Sequence, residues 1–571
     1  LGDSALPTPV ANNVIGWNET GNGFKNYAPV DNSLLSLDLA SGAVSKGAAL
    51  IGTVDGGTVA LSLSSKLNRV VDSITALKAL DKTKYTRAFV TGYYAAGDGG
   101  GGAYWYDSTD TTSADNGGTI IVATDGARWK LIVESFVTVK QFGAKGDNMA
   151  DDTAKMQNAA SVANSIRVTD GTYLLSSSVT MATPKDFVGY GAKTTFNTTA
   201  GFSATSIFSI APASGTDPKG WNVSNFEVTN NGAATNIFLL DIAGVGEYLS
   251  KLTINKIISN TAVSGYFVEL LNSIPNTDGL FTSVFEDNWS LNGYYLDNVG
   301  DSVILQRNTT TGAGYGYFVN QLDTASHILI KDGNCTSASG IYIKRGYNVQ
   351  IDSMQIEMPV TFTGLNSAVV SATNALSTLI TNLQITRNSI NTQANTTLAC
   401  VSVDWTDNTQ IDNNTLYCNQ TTGNHIVIGA NARNTYIGAN KYYSSIDGAE
   451  IAARITDSGV GTMGLWKAAT LSTWTTLADP ANGFPVGFFK QRDGEVMLRG
   501  NLTGAASTGG QTLFTLHSGF RPNAKAYTRA VFANGATNSQ ALTQILPTGE
   551  VQFVTAGATT VYLDCVSFST R

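Results

Sequence analysis

Residues 348–356 read NVQIDSMQI and residues 379–385 read LITNLQI, two stretches in which apolar side chains alternate with polar ones. A period of two is that of a β-strand with one face buried. The anchors of such stretches recur. Ile385, Ile411 and Ile437 stand 26 residues apart, as do Asn388, Asn414 and Asn440, and earlier in the chain the same interval separates Ile304 from Ile330 and Asn308 from Asn334. A helix-free unit of this length, repeated along several hundred residues, implies a solenoid in which each turn buries its apolar face only against its neighbours. Asn kept in register with Ile implies inward turns, where stacked amides satisfy one another and adjacent backbone. A β-sandwich of evenly spaced strands is the competing architecture, but it gives no reason for Ile and Asn to share one register.

Composition agrees with a long, repetitive β protein. A chain of 571 residues is too long for one compact core. Charged residues make up only 14%, and 58 glycines with abundant Ser, Thr and Asn replace the usual helix formers, while a hydrophobic share of 42% still supports a core. Net charge is −8 and the pI is near 5.0, which excludes a basic footprint for nucleic acid. No apolar run of about eighteen residues occurs, and no charged segment precedes an apolar one at the start, so we expect a soluble product made in the cytoplasm, without membrane insertion. Cys335, Cys400, Cys418 and Cys565 are too few for a disulfide framework and form no metal spacing. They are expected to be buried thiols, with Cys400 and Cys418 as the one pair that could join across neighbouring turns. No metal and no cofactor are expected.

The opening of the solenoid is more specific. Val137–Ala160 reads VTVKQFGAKGDNMADDTAKMQNAA. Phe142 is expected to begin the first strand, Gly143 and Gly146 to permit a tight turn, and Asp151 or Asp152 to cap a helix over 153–164 that plugs the open end. Asp147 joins them in turn and cap duty rather than chemistry. FGAKGD followed by DDT and a short helix resembles the opening of pectate-lyase-like β-helices in bacteriophage tailspikes and related glycan-active proteins. The resemblance implies an all-β fold: a right-handed parallel β-helix, homotrimeric, with a small amino-terminal adaptor and neck and a carboxy-terminal β-sandwich.

Four segments follow. Residues 1–63 resemble a virion-docking segment that would join the spike to other phage tail proteins. Residues 64–136 hold a helical stripe over Lys66–Leu80, suited to a neck, and a small β module similar to one that precedes the helix in many phage spikes. In that module Gly97–Gly102 lies among Tyr93, Tyr94, Tyr104, Trp105 and Tyr106, and no Lys-Ser or Lys-Thr follows it, so it reads as a turn and not a phosphate loop. Residues 137–458 form the β-helix with its groove. Residues 459–571 alternate strands and Gly/Pro turns and resemble the small sandwich of tail fibres, which assists trimerisation or binds sugar.

Glycoside hydrolysis needs two carboxylates astride the scissile bond. Phe285–Glu357 is rich in acids (Glu286, Asp287, Asp297, Asp301, Asp323, Asp332, Asp352, Glu357) and in aromatic rings, which stack on the apolar face of a pyranose. The parallel motifs FEDN, ending at Asn288, and LQRN, ending at Asn308, set Glu286 beside Gln306 and Asp287 beside Arg307. A 26-residue register then aligns Gln306 with Asp332. Glu286 and Asp332 are thereby expected on one face, two turns and about 10 Å apart, with Glu357 as a nearer partner. Expected catalytic residues are Glu286, Asp332 and Glu357; expected sugar contacts are Trp289, Tyr295, Arg307, Tyr317, Lys331, Tyr342 and Arg345. The resemblance implies a virion protein acting extracellularly on a bacterial capsular polysaccharide or O-antigen. Hydrolysis leads; a lyase acting on a uronate-containing glycan, with Tyr, Lys or His327 as base, and a non-cleaving adhesin stand beside it.

Overall fold

The computed structural model describes residues 5–570 except 12, 19, 28–36, 42, 44, 55, 64–67, 213–218, 243–247, 273–278, 298, 313, 322–326, 338, 359–367, 373–379, 394–397, 420–422, 477–485, 506, 535–536 and 565. It divides into two compact units, residues 1–134 with 140–143, and residues 135–139 with 144–571.

In the first unit, Arg69–Val71, Arg87–Val90, Gly102–Tyr106, Arg128–Leu131 and Ile120–Val122 form, in that order, a five-stranded sheet over buried Ile74, Leu77, Tyr104 and Trp129. The helix expected across Lys66–Leu80 is corrected here. Lys66 and Leu67 lie outside the described residues, Arg69–Val71 is a strand, and only Ile74–Lys78 is helical, capped by Ser73 accepting from the Ala76 N–H. β-Branched Val70 and Val71 favour a sheet edge, and a five-residue helix buries only two side chains. The glycine run is a turn. The Asp98 carboxylate accepts from the backbone N–H groups of Tyr93, Tyr94, Ala95 and Gly100, so the loop's donors are occupied by its own side chain. At Gly101 a Cβ would stand 2.3 Å from the Val90 carbonyl, so only glycine lets the strands approach there.

The second unit is a parallel β-helix. Eleven strands from Val179–Met181 to Ile455–Asp457 stack in register as one sheet, and 22 strands form a second, bent sheet. Each central turn therefore has three strands, as in Val303–Gln306, Thr309–Gly312 and Tyr317–Asn320. The bend between first and second strands falls on a single left-handed residue in every turn from Asn225 to Asn413: Lys256, Asp287, Arg307, Asp332, Ser353 and Arg387 occupy it in between. Just beyond the bend an inward amide column runs through the core. Asn288 and Asn308 stack at 3.1 Å, Asn388 and Asn414 at 3.0 Å, and Asn414 and Asn440 at 3.0 Å.

The 26-residue register holds where Ile385, Ile411 and Ile437 stack and fails earlier. The outward column Glu286, Gln306, Lys331, Asp352, Thr386, Asp412 makes successive turns 20, 25, 21, 34 and 26 residues long. Leu305, not Ile304, faces Ile330, and Thr309, not Asn308, faces Asn334. Loop length varies from turn to turn, whereas the bend and the inward ladder fix each strand. Gly333 and Met354 occupy the ladder between Asn308 and Asn388, with the Gly333 N–H aimed at the Met354 sulfur at 3.2 Å and the Met354 N–H donating to Asn388 Oδ1.

At the amino-terminal end, Phe142 closes a 3-10 turn, Val139–Phe142, rather than beginning a strand. Thr153–Val162 is the helix, with Met156, Ala159 and Ala160 buried beneath it. Asp151 accepts from the Thr153 N–H, buried Asp152 from the N–H groups of Lys145 and Gly146, and Asp147 from those of Met149 and Ala150. All three carboxylates serve turns. After the last rung, antiparallel sheets of four and seven strands pack around Trp474, Phe488, Phe514, Phe553 and Val561 as a sandwich. Cys335, Cys400 and Cys418 are free and buried, and burial pushes the Cys418 thiol up to about 11. Cys400 and Cys418, the one pair that could have joined across turns, are both free, and Cys565 lies outside the described residues. No described helix is long and apolar enough to cross a membrane.

Candidate functional site

Two clusters of side chains stand on different strands of the same turns. The first lies at the bend. Arg307, left-handed at φ 53°, points its guanidinium back one turn, where Nε meets Asp287 Oδ1 at 2.6 Å and a terminal nitrogen meets Glu286 Oε2 at 2.7 Å; Gln306 Nε2 donates to the same Glu286 oxygen at 2.6 Å. The guanidinium beside Asp287 holds that carboxyl below the usual carboxylate range. Trp289 follows, outward and 37% exposed. Lys331 continues the Glu286 column, and Asp332, at the next bend, lies 3.6 Å from Lys331 Nζ. Among described carboxylates here, Asp352 is held by Thr386 at 2.8 Å and by Arg387.

This corrects the expected pair. Glu286 and Asp332 are in different columns, because Gln306 faces Lys331 and Asp332 belongs with Asp287 and Arg307. Glu286 is already engaged by the Arg307 guanidinium and the Gln306 amide through one oxygen. Glu357 ends the second strand of its turn, faces Asn391, and stands in neither column. Asp323 lies outside the described residues.

The second cluster is on the outer face of the third strands. Glu269, Tyr295, Phe318 and Tyr342 are successive rungs of one column. Tyr295 and Phe318 stack at 4.2 Å with 5° between planes; Tyr266 adds a ring 4.7 Å from Tyr295, and Tyr315 lies 5.3 Å from Phe318 and 5.6 Å from Tyr342. Two residues along the strands, and three after a register shift in the last, runs a parallel column, Asp297, Asn320, Arg345. Asn236 donates to Glu269 and Asn320 to Asp297, so one oxygen of each carboxylate is fixed by an amide. Burial raises the Tyr295 phenol above its ordinary value, and the charges of Asp297 and Glu269 on either side add to the rise; burial pushes Tyr266 up to about 12. Among the described residues, the buried Nε of Arg345 and Oδ1 of Asn320 have no hydrogen-bond partner.

Tyr317 is the clear misplacement. It is 1% exposed, turned into the core and stacked on Tyr294 at 5.4 Å, so it cannot meet a sugar.

Residues 136–366, which contain both clusters, match the family model described as rhamnogalacturonase A/epimerase, pectate lyase-like, and residues 70–134 match that of the phage tail protein small four-stranded β-sheet domain. A segment similar to a phage-tail β domain is thus followed by one similar to pectate-lyase-like β-helices. Solved structures similar to it include the enzymatically active domain of tailspike protein 2 from bacteriophage CBA120, at 13% identity over 94% of this chain and 83% of that one, with a TM-score of 0.47. A second is a tailspike of Acinetobacter baumannii bacteriophage Fri1, titled a capsular polysaccharide depolymerase: 10% identity, 88% and 100% coverage, TM-score 0.43. A third is the A-module of a mannuronan C-5 epimerase of Azotobacter vinelandii: 17% identity, 58% and 100% coverage, TM-score 0.36.

Within the pectate-lyase-like domain, the sequence reading missed Glu269, Tyr266 and Phe318. Glu269 and Tyr266 precede the acid-rich stretch. Phe318 sits next to Tyr317 in YGYFVN, where both parities of the strand carry rings and alternation alone cannot say which faces out.

Proposed function

We propose that this chain is a phage tailspike that depolymerises a bacterial surface polysaccharide, and that cleavage takes place on the third-strand face, between Glu269 and Asp297. The observation that carries the reading is the half-buried ring of Tyr295 beside two amide-held carboxylates, with Tyr342 two rungs on and Phe318, 5% exposed, packed between the two as their support. Such a row of rings is a platform for successive pyranoses, and the domain's family models unite a phage-tail module with glycan-active β-helices. Glu269 and Asp297 are one rung and two residues apart. A spacing of about 4.8 Å between strands and about 3.3 Å per residue separates their Cα atoms by roughly 8 Å, a backbone separation from which two side chains on one face can hold carboxyls at the spacing of an inverting pair, in which one protonates the leaving oxygen and the other activates water.

Elimination is less well supported. It needs a base, and phenols raised like those of Tyr295 and Tyr266 stay protonated at neutral pH. His327 precedes the first strand of its turn, away from the aromatic column. The test is turnover of a purified capsule or lipopolysaccharide by the native protein and by Glu269→Gln and Asp297→Asn, with Glu286→Gln alongside. New reducing ends mark hydrolysis and unsaturated ends absorbing in the near ultraviolet mark elimination. The first two amides should lower turnover by a factor on the order of a hundred or more and preserve binding, and Glu286→Gln should stay within a few-fold. The reverse pattern would move the chemistry to the bend; no cleavage of a bound polymer would leave an adhesin.

A further inference from the structure

Further along the helix the chain builds a second cleft that this chemistry does not use. The junction of first strand and preceding loop is left-handed at Asn348, Asn382 and Asn408, and these three side chains form a ladder on the outside: Asn382 Nδ2 donates to Asn348 Oδ1 at 2.8 Å and Asn408 Nδ2 to Asn382 Oδ1 at 2.6 Å. Beside it run the outward side chains of Gln384 and Gln410, stacked in register and followed by Tyr436. The sandwich domain supplies the far wall. Arg492, on the turn after the strand Gly487–Lys490, lies 5.5 Å from the centre of the Tyr436 ring and donates a long bond, 3.4 Å, to Gln410 Oε1. Together these groups enclose about 300 Å³.

We infer that this cleft binds a saccharide unit bearing a carboxylate, as an anchoring subsite apart from the cleavage site. Carboxamides offer a donor and an acceptor on one rigid plane, matched to the vicinal hydroxyls of a sugar. Tyr436 offers a ring face. Among the lining side chains the one charge is the Arg492 guanidinium, whose fork fits a carboxylate; the Asp412 carboxylate stands behind Gln410, accepting from its Nε2 at 3.4 Å, and does not line the cleft. A volume of this size lies at the small end of ligand pockets and suits one or two sugar rings. The ligand class rests on the glycan reading above; the mechanism of cleavage does not enter.

Saturation-transfer NMR on the native protein tests it, with D-galacturonate and D-glucuronate as probes against D-galactose and D-glucose. At least one uronate should bind about tenfold more tightly than its neutral counterpart, the ratio of one charge-assisted bond at a partly exposed site. Arg492→Gln should remove that preference, and Gln384→Leu with Gln410→Leu should remove it too and lower the saturation of all four sugars to what the third-strand face alone gives, at an unchanged melting temperature. No saturation by any sugar, or signals unaltered in both variants, overturns the inference. Binding here by a protein that cleaves nothing leaves the cleft and removes the depolymerase; cleavage without binding here does the opposite.

Discussion

Asn388→Ala is the most direct way to ask what the amide column contributes. The side chain is 1% exposed and makes three bonds: Nδ2 donates to the Ile351 carbonyl at 2.9 Å and to Asn414 Oδ1 at 3.0 Å, and Oδ1 accepts from the Met354 N–H at 2.9 Å. Alanine leaves the Met354 N–H and the Ile351 carbonyl without these partners in a region closed to water, while Asn414 Oδ1 keeps the Asn388 N–H. Two orphaned buried groups at about 1–3 kcal/mol each, softened by whatever relaxation the site permits, give a loss of roughly 3–5 kcal/mol. The loss is local, so hydrogen exchange in the intact protein is the assay, read on the peptide spanning residues 348–358. The Met354 amide should exchange between roughly a hundredfold and a few thousandfold faster, at about 1.4 kcal/mol per factor of ten. Ser389→Ala, the neighbouring exposed position, should stay within about 0.5 kcal/mol, or roughly twofold. Protection at Met354 unchanged to within about threefold would refute the assignment of this stability to the amides and place it in the strand ladder alone.

Tyr342→Ala removes a half-buried outward ring of the column and should weaken oligosaccharide binding by about two- to tenfold, read by calorimetry on the Glu269→Gln background, since an aromatic contact contributes on the order of 0.5–1.5 kcal/mol beyond its area; an unchanged affinity would assign the column to packing. His425 is buried, with Nδ1 accepting from the Arg454 N–H at 3.0 Å and Nε2 facing the Tyr443 carbonyl at 3.1 Å, and burial holds its imidazole below the ordinary 6.5. The unfolded chain then takes up that proton first, so stability present above pH 6.5 is lost as pH falls below it: unfolding in denaturant should quicken between pH 7.5 and 5.5, and His425→Gln should flatten the dependence. Light scattering of the native protein should give three times the 60.0 kDa chain mass, and a monomer would remove the homotrimer.

The solenoid was legible because Ile385, Ile411 and Ile437 repeat on turns of equal length, joined by the Asn388, Asn414 and Asn440 ladder. The site was legible only in kind. Between Glu286 and Asp352 the turns are 20, 25 and 21 residues long, and one residue of slip moves Asp332 out of the Glu286 column onto the left-handed bend. A slip of one along a strand exchanges inside for outside, and so it also decides between Tyr317 and Phe318. Of the expected sugar contacts, Tyr295, Tyr342 and Arg345 share the outer face of the third strands, whereas Arg307 and Trp289, grouped with them by proximity in sequence, belong to the bend. Composition in a window cannot distinguish three faces that the chain visits in rotation.

The gap in the amide column at Gly333 and Met354 gives the rod a mechanical seam. Rungs before it are clamped through Asn288 and Asn308, and rungs after it through Asn388, Asn414 and Asn440, whereas the two between hold one another by strand pairing and a sulfur contact. Tension along the axis is borne equally by every rung, so rupture begins at this least-clamped pair. The halves differ in what they keep: one retains the helix plug of Thr153–Val162, the other the sandwich. Each then shows one raw strand edge, complementary only to its counterpart, which makes a broken rod able to reseal.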